Sequence, residues 1–162
     1  MSKGHVLDRM DKAILSLMQR DATLTNQQIA DEIGLSPAPC SRRIRQLVEA
    51  DYISKQMAIL NRRAINLNLV AIVGISMDYH TAERFAGFEQ AIAEIPEVVE
   101  CFIVTGQQAD YIIKVVVPDM DHYEKILLTQ INTIEGVESV HTSFQLRDVF
   151  DNRPLPLTYS NS

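Results

Sequence analysis

Apolar positions recur with a helical period over the first fifty residues and with a strand period after them. Leu7, Met10, Ile14 and Leu17 predict a helix from about Asp8 to Arg20, with Asp8 and Asp11 suited to its positive first turn. A second helix is predicted to start at Thr25, since Thr25 and Gln28 can each satisfy the other's free backbone N–H. Ile29, Ala30 and Ile33 give its inner stripe, and Gly34 is suited to the left-handed conformation that ends a helix. A third helix follows at once. Ser36 suits its N-cap, and Pro37 stands where a missing N–H costs nothing. Cys40, Ile44, Leu47 and Val48 form one apolar stripe, while Pro39, Ser41, Arg42, Arg43, Arg45 and Gln46 fall on the opposite face. Asp51-Tyr52-Ile53 ends this helix, and an extended stretch runs to about Leu60.

From Leu69 the pattern changes. Residues 70–77 read as a buried strand, and Phe85, Phe88, Ile92 and Ile95 mark a helix. Residues 98–106 and 110–117 read as two further strands. Tyr123, Leu127, Ile131 and Ile134 mark a second helix, and 140–147 alternates as a half-buried strand. The order β-α-β-β-α-β, with a weak echo of Ile95-Pro96-Glu97-Val98 in Ile134-Glu135-Gly136-Val137, predicts a ferredoxin-like sandwich. The tail from Asp151, with Pro154 and Pro156, reads as an arm or loose end.

The chain has 162 residues, of which 46% are hydrophobic and 22% charged, which excludes wholesale disorder. No apolar run approaches the ~18 residues of a membrane span. The N-terminus carries no apolar signal-peptide core, and two cysteines exclude a disulfide framework. A cytoplasmic, reducing setting is therefore expected. The net charge of −6 argues against nucleic acid until it is divided. Residues 1–65 hold ten basic and seven acidic residues, net +3, whereas 66–162 hold five basic and 14 acidic, net −9. Random scatter of surface charge is the plain alternative; otherwise a basic module is joined to an acidic one.

Three short helices with a tight Gly turn before an Arg-bearing third helix make a helix-turn-helix pattern. Arg42, Arg43 and Arg45 could reach phosphate oxygens or guanine edges, with Lys55, Arg62 and Arg63 extending the basic surface. Taken alone, the same face could equally be a solvated helix surface. The segment Thr105-Gly106-Gln107-Gln108-Ala109-Asp110-Tyr111 is the most polar break in an apolar region. Asp110 suits an α-ammonium group and the backbone N–H groups suit a carboxylate, although an ordinary hairpin loop explains the segment as well. The four histidines are dispersed, both cysteines read as core, and no phosphate-loop glycines or catalytic constellation is present. Neither a metal site nor an enzyme is expected.

The run Gly34-Leu35-Ser36-Pro37-Ala38-Pro39-Cys40-Ser41-Arg42-Arg43-Ile44-Arg45-Gln46-Leu47 resembles the recognition-helix signature of the Lrp/AsnC family of transcription regulators, as does Leu7-Asp8-Arg9-Met10-Asp11. In the second half, Pro96 to Cys101, Thr105-Gly106, Asp110-Tyr111 and Val117 to Met120 resemble that family's amino-acid-sensing domain. The resemblance spans about residues 6–157. It implies an α+β chain with a (winged) helix-turn-helix domain at 1–52 and an extended linker at 53–66. A ferredoxin-like effector and assembly domain would follow at 67–150, with a tail at 151–162.

By motif match, Ser36, Pro37, Pro39, Ser41, Arg42, Arg43, Arg45 and Gln46 would face double-stranded DNA. Thr105, Gly106, Gln107, Gln108, Ala109, Asp110 and Tyr111 would form the effector turn, with Met120, Ser143 and Gln145 also expected at the effector site. The implied partners are operator DNA, an amino acid such as leucine bound between subunits, and further copies of the chain, commonly an octamer of four dimers. No other cofactor is implied. Two departures stand out. The 106–110 turn is one residue longer than the family's Gly-x-x-Asp-Tyr spacing, with Gln107 in place of its common acid, and Asp51 replaces its usual Gly. An amino-acid sensor acting on a protein partner and an effector-independent architectural DNA binder are the competing readings.

Overall fold

Asp8 caps the first helix in the computed structural model, which describes residues 6–106 and 109–160. Its carboxylate accepts from Asp11 N–H while Asp11 accepts from Asp8 N–H, a reciprocal box that starts α1 (Arg9–Arg20). The expected box of Thr25 and Gln28 starts α2 (Asn26–Ile33), and Gly34 ends it at φ +72°. Ser36 takes the N-cap position of α3 (Pro37–Glu49) without a side-chain cap bond, and Pro37 opens the helix. Asp51 stands at φ +62°, the left-handed conformation its place after α3 demands.

The chain divides into two units. One comprises 1–59 together with 150–162; the other is 60–149. The first unit closes over Leu7, Ile14, Leu15, Ile29, Ala30, Cys40 and Leu47. Val48, expected on that stripe, is instead exposed, because the neighbouring helices reach only as far round α3 as Leu47.

The tail is not loose. Leu157, in a 3₁₀ turn over Leu157–Tyr159, packs on the same core. Gln19 of α1 holds Leu155 at both backbone groups, accepting from its N–H at 2.7 Å and donating to its carbonyl at 3.3 Å. Lys12 donates to the Ser160 carbonyl at 3.4 Å. The prolines that read as an arm serve a docked, extended segment, in which the missing N–H groups cost nothing.

The second unit is the expected βαββαβ sandwich. Its elements are β1 (Leu69–Met77), α4 (Ala82–Ala93), β2 (Val98–Ile103), β3 (Tyr111–Val117), α5 (Met120–Ile126) and β4 (Val137–Phe144). The sheet order is β2-β3-β1-β4, antiparallel throughout. Ala71, Val73, Ile75 and Met77 of β1 and Ile113 and Val115 of β3 face one side. They pack there against Phe88 and Ile92 of α4 and Tyr123 and Ile126 of α5. Each fully buried side chain of this size contributes about 1.5–3 kcal/mol.

Three boundaries differ from expectation. β4 runs from Val137 to Phe144, not 140–147: β1 begins at Leu69, so little of it is left to pair beyond Gln145, which donates to the Val70 carbonyl. Leu146 is correspondingly exposed. β2 stops at Ile103, because Val104 N–H turns in to the Asp110 carbonyl and closes the connection. After Ile126 the second helix widens into a π turn over Leu127–Ile131, where Thr129 donates to the Lys125 carbonyl. Cys101 lies exposed on edge strand β2 and not in the core. Gly136 is held at φ +92°, and a Cβ there would come within 3.0 Å of Met77 Cε and 3.1 Å of Arg84 Cδ.

Candidate functional sites

Of the residues expected to face DNA, Ser36, Pro37, Arg42, Arg45 and Gln46 are exposed, while Pro39 and Ser41 are half-buried. Ser41 Oγ accepts from Asn26 Nδ2 at 3.0 Å, which ties the start of α2 to α3. Arg43 is placed differently. Its Nη1 lies 2.7 Å from Asp8 and 2.8 Å from Asp11, and Asp11 is 1% exposed. Bonds to Asp11 and then Asp8 hold the guanidinium firmly protonated. The Asp8 carboxyl is held below its ordinary value, first by Asp11 N–H and then by Arg43. The capping box of α1 and an arginine of α3 are therefore one ionic cluster inside the head. The sequence carried a signal for it, two acids bracketing a first turn, but spacing reads them as dipole partners only.

Lys55 and Arg63 are exposed. Arg62 is committed within the second unit, donating to the Leu67 and Asn68 carbonyls at 3.2 and 3.1 Å.

The connection between β2 and β3 carries the proposed effector turn. Gln107 and Gln108 lie outside the described residues, as do Lys3 and His5 among the charged residues and histidines counted above. Thr105 and Gly106 are exposed, and Ala109 is half-buried with its Cβ against Gly74. Asp110 is held at its backbone N–H and at both carboxylate oxygens. Its N–H donates to the Ile75 carbonyl at 2.8 Å, its Oδ2 accepts from Met77 N–H at 2.7 Å, and its Oδ1 lies 2.7 Å from His80 Nε2. The carboxylate still keeps 21% of its surface exposed.

Tyr111 points the other way, into the core. Its ring lies 4.5 Å from Phe88 and 5.5 Å edge-on to Phe85, and its hydroxyl donates to Glu89 at 2.7 Å. Burial, then Glu89, pushes that hydroxyl's pKa well up, so it stays a donor. A hollow of about 350 Å³ opens beside it, lined by Glu89, Cys101 and Phe102 among others. His80 and Glu89 were missed by sequence reasoning. Thirty residues separate His80 from Asp110, and only the pairing of β1 with β3 joins them.

Met120 is exposed at the first residue of α5, and Ser143 is exposed near the end of β4. Gln145 is half-buried, and its side chain bonds Asp148. These three do not join the turn. Tyr111 pairs with Ile75 at one end of β1, whereas Val117 pairs with Leu69 and Gln145 bonds Val70 at the other. Six strand steps, about 20 Å, separate Tyr111 from Val117, which Met120 follows, whereas Ser143, opposite Ile72, lies about 10 Å along β1 from Ile75.

Among the described residues no group of three or more His, Cys, Asp or Glu side chains could hold a metal ion, and no helix is long and apolar enough to cross a membrane.

Residues 7–54 match a family model described as a winged helix-turn-helix DNA-binding domain, and 70–155 match the Lrp/AsnC ligand binding domain. The leucine-responsive regulatory proteins of Klebsiella pneumoniae and Escherichia coli K12 are each 33% identical over 146 residues, covering 90% of this chain and 88% of theirs. A transcriptional regulator of Neisseria meningitidis, solved in complex with L-methionine, superposes with a TM-score of 0.90 at 30% identity. That match covers 95% of this chain and 99% of the other. An AsnC family regulator of Agrobacterium tumefaciens gives 0.87 at 34% identity, covering 94% and 99%. With its helix-turn-helix head and its ligand-binding βαββαβ domain, the chain belongs to the Lrp/AsnC family of DNA-binding transcription regulators.

Proposed function

We propose that this regulator binds an amino acid where the Asp110 turn of one subunit meets the Met120, Ser143 and Gln145 end of another. The observation that carries the reading is the length of β3, about 20 Å, which separates the Asp110 turn from Met120 in a single chain. A ligand of amino-acid size cannot span it, so a site using both groups needs two subunits. The partly exposed Asp110 carboxylate offers an anchor for the α-ammonium group. The sheet face away from the helices is open for assembly, presenting Phe102 with half-buried Ile72 and Ile112 beside it. A dimer follows from the pairing of this face with its own copy, and an octamer of four such dimers needs a second interface.

DNA is read by the exposed face of α3, with Arg42, Arg45 and Gln46 reaching phosphates and bases and Ser36 at the phosphate-facing helix start. Two such helices per dimer suit half-sites about 10.5 bp, or a multiple, apart. The setting is the cytoplasm, where the operator lies. One observation favours an effector-independent DNA binder instead: the Asp110 carboxylate already has two partners within its own chain.

Calorimetric titration of the full chain with the twenty amino acids, alongside sedimentation with and without the binding ones, separates the readings. Binding that is lost in Asp110→Asn, with a change in assembly or operator affinity, supports the effector site. No heat and no thermal shift with any amino acid supports the architectural reading.

A further inference from the structure

The Asp110 carboxylate is shared between two elements that the sequence gives no reason to pair. Oδ2 takes Met77 N–H and Oδ1 takes His80 Nε2, each at 2.7 Å, which leaves further lone pairs on both oxygens for a ligand. A carboxylate only accepts, so the proton of this bond sits on Nε2 of His80. The ring is positioned edge-on to Phe85, with centroids 5.9 Å apart, and Phe85 is in turn edge-on to Tyr111. The imidazole is also 65% exposed, so solvent protons reach it.

We infer that His80 is a positioning residue of the effector site. As the neutral imidazole it aims the Asp110 carboxylate and leaves its negative charge for an ammonium ligand; as the imidazolium it takes that charge for itself. The inference rests on the reading of Asp110 as the ammonium anchor. The imidazolium and an amino-acid ammonium group compete for one carboxylate, so acid opposes ligand binding.

The other charged groups on the surrounding elements have their own partners or lie apart. Asp78 faces Arg84, which also bonds Glu135; Glu89 holds the Tyr111 hydroxyl; Glu83 is exposed on the first turn of α4. On β3, Lys114 pairs with Glu100 of β2. On β4, His141 sits opposite Gly74 and is the second imidazole near this end of the sheet.

The test is calorimetric titration of the full chain with L-methionine and L-leucine between about pH 5.5 and pH 7, below the α-amino pKa, so that the ligand's own ammonium stays protonated. Wild-type affinity is expected to fall about tenfold on acidification, the scale of one charge-assisted hydrogen bond. His80→Gln, which keeps an N–H donor but cannot titrate, is expected to bind at the upper pH and to lose the slope. His141→Gln is expected to keep it. An undiminished slope in His80→Gln overturns the role of His80 and leaves the effector site standing. Wild-type affinity in Asp110→Asn overturns the ammonium anchor itself. A wild-type chain that binds neither amino acid at any pH overturns both. Circular dichroism of each variant verifies the fold, and a folded His80→Gln that binds nothing at the upper pH also overturns the positioning role.

Discussion

Arg43 of α3 and Asp11 of α1 form an ion pair at 2.8 Å in which the carboxylate is buried and the guanidinium half-buried. The pair joins the helix expected to meet DNA to the helix that supports it, so Arg43 is tied into the head while its neighbour Arg42 is exposed.

Arg43→Ala is therefore expected to destabilise the head by about 1–2 kcal/mol, because buried Asp11 loses its ion pair with Arg43. Arg42→Ala and Arg45→Ala are expected to leave the melting temperature within error and to weaken operator binding. Each should also lower the slope of log affinity against log salt by about one phosphate contact. Thermal melts and fluorescence anisotropy over a salt series check both halves. An Arg43→Ala variant with an unchanged melt and weak DNA binding returns Arg43 to the DNA face.

Acid should loosen the same cluster. The Asp8 carboxyl titrates lower in the folded head than in the unfolded chain, chiefly through Asp11 N–H. Its contribution is present above the unfolded value and is lost as pH falls through the folded one, so the loss lies below about pH 4. Following α1 by amide exchange should show protection falling there in wild type, with a weaker dependence in Asp8→Asn.

Gly136→Ala is expected to cost about 1–3 kcal/mol in the second unit. The position demands φ +92°, and the new Cβ would press on Met77 and Arg84, whose guanidinium bonds Glu135 next door. Urea unfolding of the variant measures it; a value under ~0.5 kcal/mol, as at an ordinary surface site, refutes it.

Leu157→Ser is expected to lower the stability of the head and raise amide exchange in α1, although the substitution lies over a hundred residues away in sequence. Truncation after Val149 should do more, removing the bonds to Gln19 and Lys12 as well. Unchanged protection in α1 would refute the docked tail.

The elements legible in the sequence were those set by local chemistry. The capping box of Thr25 with Gln28 was legible as an i, i+3 pair, whereas Asp8 and Asp11 were legible only as acids of one first turn and not as a box. Gly34 and Asp51 fixed their own backbone, and the continuous apolar runs found β1 and β3 within a residue. The end of β4 was not legible, because it depends on where its partner begins. The partners of Arg43 and Asp110 were not legible either, since each is brought by tertiary packing across some thirty residues of sequence. Val48 failed for a related reason: a stripe says which side of a helix is apolar, not how far round its neighbours reach.

The docked tail has a bearing on the order in which the chain is made. The head is synthesised first, yet Leu157, which completes its packing, emerges about a hundred residues after Leu47, roughly 5–20 s later at ordinary elongation rates. A nascent chain thus carries a head with part of its core uncovered throughout translation of residues 60–149. The part of the protein that binds DNA reaches its full stability only once Leu157 has left the ribosome.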